Sequence, residues 1–128
     1  MTLLTIDNLS ITFGNQPAVD DVSLTVNKGE ILAIVGESGS GKSLTALSIL
    51  QLLPGEANTQ GTITFDGDIL TTKTNAAIAK YRGSKIGVIF QEPMTALNPL
   101  HPIHKQIIES FCWHHKLKPK SPKAQQKI

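Results

Sequence analysis

The chain has 128 residues, 40% of them hydrophobic and 17% charged, a balance that describes about one soluble globular domain rather than a disordered chain. No apolar run approaches the ~18 residues of a membrane span, and Met1–Asp7 lacks the basic start and small-residue cleavage site of a secretory leader, so neither is expected. The net charge of +2 hides an asymmetry: Lys116, Lys118, Lys120, Lys123 and Lys127 lie in an acid-free tail, leaving seven basic and ten acidic side chains, a net −3, on the other 115 residues.

Without interleaved aromatics or arginines, that tail reads as a solvated segment, and no nucleic-acid partner is expected. Cys112 is the only cysteine, which excludes an internal disulfide and suits a reducing compartment.

In chain order, Leu3–Phe13 alternates apolar and polar residues for much of its length and predicts a strand. Gly14–Pro17 is a turn by composition, and Ala18–Val26 a second strand with Val22, Leu24 and Val26 on one face. Asn27–Glu30 turns the chain into an apolar strand, Ile31–Val35. A helix is predicted from Lys42 to about Leu53, stopped by Pro54-Gly55. Gly61–Asp68 is a strand ending in an Asp-Gly turn, and Asn75–Tyr81 a short helix closed by Arg82-Gly83. Lys85–Phe90 is an apolar strand that delivers Gln91, followed by a loop with three prolines from Glu92 to Pro102. Ile103–His115 is helical, with Ile103, Ile107, Ile108, Phe111 and Cys112 forming its apolar face. His101, His104, His114 and His115 fall in or near this helix, but His114 and His115 are adjacent and point apart, a poor metal-binding arrangement.

Between the strand at 31–35 and the helix from Lys42 stands Gly36-Glu37-Ser38-Gly39-Ser40-Gly41-Lys42-Ser43, which satisfies G-x-x-x-x-G-K-[ST] at every fixed position. Backbone N–H groups surround a polyphosphate only where no Cβ intervenes, and Gly36, Gly39 and Gly41 provide that approach and the positive φ values of a tight nest. The helix start adds unpaired N–H groups and roughly +0.5 charge. The Lys42 ammonium reaches β- and γ-phosphates, and the Ser43 hydroxyl is a ligand for Mg²⁺. The run is expected to be a nucleotide-phosphate site.

This loop, together with Phe90-Gln91-Glu92-Pro93-Met94-Thr95-Ala96-Leu97-Asn98-Pro99, resembles the ATP-binding subunits of ABC transporters, in the branch that imports di- and oligopeptides, nickel and peptide-like antibiotics. The resemblance runs from about Leu3 to about Ile108, and His101 with Ile103–Ile107 leans towards the microcin and peptide importers. It implies an α/β fold: a partial P-loop NTPase core (31–91, with a β/α insertion), preceded by an antiparallel β subdomain (1–30) and followed by the glutamine loop and the start of a helical subdomain (92–128). It implies that Phe13 stacks on adenine, that Val19 adds an apolar contact, and that 36–43 with Leu44 binds ATP. Gln91 is implied to ligand Mg²⁺ and orient the attacking water. The loop 92–99 is implied to meet the transmembrane subunits, a second ATP-binding subunit to dock head to tail, and the whole to lie on the cytoplasmic face of the membrane.

The chain has no LSGGQ signature, no apolar strand ending in an acidic pair and no switch histidine. It is therefore expected to bind nucleotide at best and not to hydrolyse it alone, with an apolar edge left open at Ile31–Val35. The competing reading is a truncated remnant or interaction fragment without enzymatic activity. A small-molecule kinase is disfavoured, since neither a substrate lid nor acid–base residues are found.

Overall fold

The computed structural model describes residues 1–92 and 96–116, so the lysine tail beyond Lys116 and positions 93–95 of the loop lie outside the described residues. The chain divides into two compact units, Met1–Ala79 and Lys80–Ile128.

The first unit is built on an antiparallel sheet. Strands β1 (Thr2–Phe13) and β2 (Gln16–Asn27) form a hairpin closed by two residues, with Gly14 at φ 57° supplying the positive dihedral that such a connection requires. Strand β3 (Ala57–Phe65) pairs with the other edge of β1, and β4 (Asp68–Ile69) follows through Asp66 (φ 48°) and Gly67 (φ 85°), giving the order β2-β1-β3-β4. Two positive dihedrals in succession are the signature of the turn that the Asp-Gly pair predicts.

The apolar positions of β1 change parity along the strand. Ile6 is buried at an even position, whereas Leu9 and Ile11 are buried at odd ones. A regular strand cannot put both sets on one face. A bulge resolves the conflict: between the pairs Asp7↔Thr62 and Ser10↔Gln60, Asn8 and Leu9 oppose Gly61 alone. Asn8 sits at φ 49°, its side-chain amide donates to Asp21 Oδ1 at 2.7 Å, and Asp21 (φ 46°) belongs to a matching irregularity in β2. The core of this unit is therefore Ile6, Leu9, Ile11 and Val19 with Ile63, Leu50, Leu70 and Ile78.

Helix α1 (Lys42–Ser48) ends five residues before the predicted stop at Leu53. Gln51 turns left-handed at φ 52°, and its amide nitrogen donates to the carbonyls of Leu70 (2.9 Å) and Lys73 (3.2 Å). With the helix ended there, Leu50 is buried and the segment after β4 is tied to the helix end. Helix α2 (Asn75–Ile78) is capped by Thr74, whose Oγ1 accepts from Ala77 N at 3.4 Å.

The second unit holds helix α3 (Ile103–His115), at the predicted bounds. Cys112 is buried on it, Phe111 stacks on His115 with ring centroids 4.3 Å apart, and Trp113 is exposed.

Two predicted strands do not form. Ile31–Val35 and the apolar part of Lys85–Phe90 carry no ladder, and Lys85–Phe90 contributes only an isolated bridge between Arg82 and Ile86. Ile31 is 96% exposed, Val35 88% and Ile89 98%. A strand needs a neighbour to take its N–H and C=O groups, and among the described residues none pairs with these segments. The open apolar stretch expected at 31–35 is present.

Candidate functional site

The loop 36–43 belongs to the first unit, between the unpaired segment 31–35 and α1. Its backbone turns at Glu37–Ser40, where Ser40 N donates to Glu37 O at 3.3 Å, and Gly39 and Gly41 take φ 80° and 86°. Gly36 does not need a positive φ, contrary to the sequence expectation; a Cβ there would instead stand 2.8 Å from Ser40 Oγ. Gly41 is the most confined, since its Cβ would lie 2.6 Å from Ala18 O and 2.8 Å from Val19 Cγ2. Val19 is buried, so it supports the loop from beneath as part of the core.

The Lys42 ammonium folds back over the loop and donates to Gly36 O (2.8 Å), Glu37 O (2.5 Å) and Ser40 Oγ (3.0 Å). Its three donors are thereby satisfied by neutral acceptors, which charged phosphate oxygens outcompete. Among the described residues, nothing accepts a bond from the backbone N–H of Gly39, Gly41, Lys42 or Ser43. Ser43 is exposed with its hydroxyl free of protein partners among the described residues, and Leu44 is half-buried. Free N–H groups, one ammonium and a free hydroxyl, gathered in one loop, are the groups that could hold a polyphosphate and its divalent cation.

Phe13 is the half-buried last residue of β1, paired with Gln16 and Ala57 at the hairpin end. Gln91 is exposed in the second unit, immediately before the incompletely described loop 92–99. In that unit, a cavity of about 770 Å³ is lined by Gly83, Leu97, Gln106, Ile107, Phe111 and His114 among others. Gln106 fastens the loop there, accepting from Asn98 N and donating to Asn98 O, both at 2.9 Å, and to His101 O at 2.8 Å. Among the described residues, no group of three or more His, Cys, Asp or Glu side chains is arranged to hold a metal ion.

Sequence reasoning missed Thr45 and Gln51. Thr45 is buried with its hydroxyl on Gly41 O at 3.0 Å. A polar residue on the inward face of α1, one turn after the glycine, was the available signal. Gln51 had no such signal, because its partners come from beyond β4.

A glycine-rich loop closed by lysine and serine at a helix start, beside an antiparallel sheet, defines this chain as part of a P-loop nucleotide-binding domain. The profile of the ABC transporter family matches residues 19–127, and the chain belongs to that family. It is 50% identical over 119 residues to the uncharacterized ABC transporter ATP-binding protein YejF of Escherichia coli K12, covering 88% of this chain and 22% of that protein. It is 43% identical over 125 residues to the oligopeptide transport ATP-binding protein AppD of Bacillus subtilis 168 (93% of this chain, 38% of the relative). With the metal-staphylopine import system ATP-binding protein CntD of Staphylococcus aureus it shares 41% identity over 116 residues, 89% of this chain and 43% of the relative. The chain thus spans from about a fifth to under half the length of these relatives. No helix among the described residues is long and apolar enough to cross a membrane.

Proposed function

We propose that this chain contributes the nucleotide-binding part of an ATP-driven ABC importer for peptides or peptide-like solutes. The observation that carries the reading is the loop 36–43, with free N–H groups around Gly41 and the Lys42 ammonium closed over it. The names of the relatives support a peptide solute, since an oligopeptide transport ATP-binding protein is among them, beside a metal-staphylopine import protein. In this reading Gly36, Glu37, Ser38, Gly39, Ser40, Gly41, Lys42, Ser43 and Leu44 cradle the phosphates, and Phe13 stacks on the base. Val19 supports the loop more than it touches nucleotide. Ser43 and Gln91 would hold Mg²⁺, which neutralises phosphate charge when bound.

The chain's own residues bind and orient. No acidic pair follows an apolar strand in these 128 residues, so this reading assigns them no general base to polarise water, a contribution typically worth 10²–10⁴-fold in rate. The proposed activity of the chain alone is MgATP binding without appreciable turnover. The transmembrane subunits would meet it through 92–99, and a second ATP-binding subunit head to tail, on the cytoplasmic side of the membrane.

Titration of a fluorescent ATP analogue with Mg²⁺ against wild type and Lys42→Ala tests this. Wild type is expected to bind and the variant to lose at least about tenfold in affinity, the scale of a charge-assisted contact; equal binding by both would remove the phosphate site. The remnant reading draws on the exposure of Ile31, Val35 and Ile89. It predicts no cooperative thermal transition, with or without MgATP.

A further inference from the structure

Gly41 is held from two sides. Beneath it lie Ala18 O and Val19 Cγ2, at the distances that leave no room for a Cβ. From the helix, its carbonyl oxygen accepts two bonds, one from Thr45 N at 2.9 Å and one from Thr45 Oγ1 at 3.0 Å. Both lone pairs of that oxygen are therefore engaged. Thr45 is only 4% exposed, so water does not compete for its hydroxyl. The Thr45 carbonyl is occupied in turn by Ser48 Oγ at 2.7 Å.

Threonine hydroxyls often bond the carbonyl four residues back in a helix. What distinguishes this one is the peptide it lands on. The Gly41–Lys42 peptide is planar and trans, so a C=O anchored along the helix turns the Lys42 N–H the opposite way, to the loop side. That N–H has no acceptor among the described residues. A glycine at φ 86° has the freedom to let such a plane rotate, since it carries no side chain to oppose the rotation.

We propose that Thr45 is a positioning residue for the phosphate loop: its buried hydroxyl locks the Gly41–Lys42 peptide plane so that the Lys42 N–H faces the bound phosphate. The proposal rests on the reading of 36–43 as a polyphosphate site. Thr45 itself touches no phosphate, and it acts through the Gly41 carbonyl.

The test uses the full chain and inorganic tripolyphosphate, which lacks a base and so reads the loop alone, with affinities from calorimetric titration. Thr45→Val keeps the shape and removes the hydroxyl; it is expected to weaken binding about two- to tenfold, the equivalent of one hydrogen bond. Thr45→Ser restores the hydroxyl and is expected to bind within about twofold of wild type. Ser48→Ala, equally buried but not bonded to the loop, is expected to lower thermal stability while leaving affinity unchanged, which a merely structural role for this helix face would not allow. If wild type binds, Lys42→Ala does not, and Thr45→Val binds as wild type, the positioning role is overturned and the phosphate site stands. If wild type binds no better than Lys42→Ala, both fall. Should Thr45→Val fail to fold by circular dichroism, amide spectra of the wild type decide. The Lys42 N–H resonance is expected to be among those shifted most by tripolyphosphate, and an unmoved resonance overturns the proposal.

Discussion

A methyl group at position 61 would stand 2.5 Å from Asn8 O and 2.6 Å from Asp7 O, on a backbone at φ 101°. Both obstacles are main chain, so neither can swing aside, and the strained dihedral adds to the collision. Gly61→Ala is expected to cost at least about 2 kcal/mol, read as a lowered urea midpoint. Gly67→Ala, in open space at φ 85°, is expected to cost about 1 kcal/mol, the strain of the dihedral alone. Gly41 combines both situations with the site, since its Cβ meets Ala18 O. Gly41→Ala should therefore abolish tripolyphosphate binding as well as destabilise the first unit. Of these glycines, Gly41 was legible from the motif, which fixes glycine at that position. Gly61 was not, since it reads as an ordinary strand glycine until the shift from Ile6 to Leu9 and Ile11 is noticed.

Helix α3 and the β1–β2 hairpin appear where the sequence placed them, because each carries its own hydrogen-bond partners. Helix α3 closes its bonds within itself, and the β1–β2 hairpin brings its partner across two residues. Ile31–Val35 has neither advantage: its composition is that of a buried strand, yet it remains unpaired and exposed. An uncharged, proline-free segment of this kind is a template for pairing between molecules. Ile31→Lys is expected to reduce self-association, measured by sedimentation velocity, with little change in the melting temperature because Ile31 buries almost nothing. Gln51 acts oppositely, joining elements distant in sequence. Gln51→Leu leaves the carbonyls of Leu70 and Lys73 without that donor and is expected to cost about 1–3 kcal/mol in a urea titration.

At the scale of the whole molecule, the first unit carries the phosphate loop and the hydrophobic core of the sheet, and the second carries Gln91 and α3. A ligand that binds only the folded first unit stabilises it by mass action. MgATP at a hundred times its dissociation constant is expected to add about 2.7 kcal/mol, visible as a raised unfolding midpoint in wild type and absent in Lys42→Ala.

The residues alone determined the glycine-rich motif at 36–43, the turns at Gly14 and Asp66-Gly67, the bounds of α3 and the membership of the chain in its family. Each of these depends on neighbours a few positions away, or on a residue type that no other can replace. Tertiary structure decided the bulge that returns Leu9 and Ile11 to the buried face, the early stop of α1 at Ser48 and the hold of Thr45 on Gly41. It also left Ile31–Val35 unpaired. A backbone N–H or C=O in a strand is satisfied only by another segment, and no local pattern can state whether that segment is there.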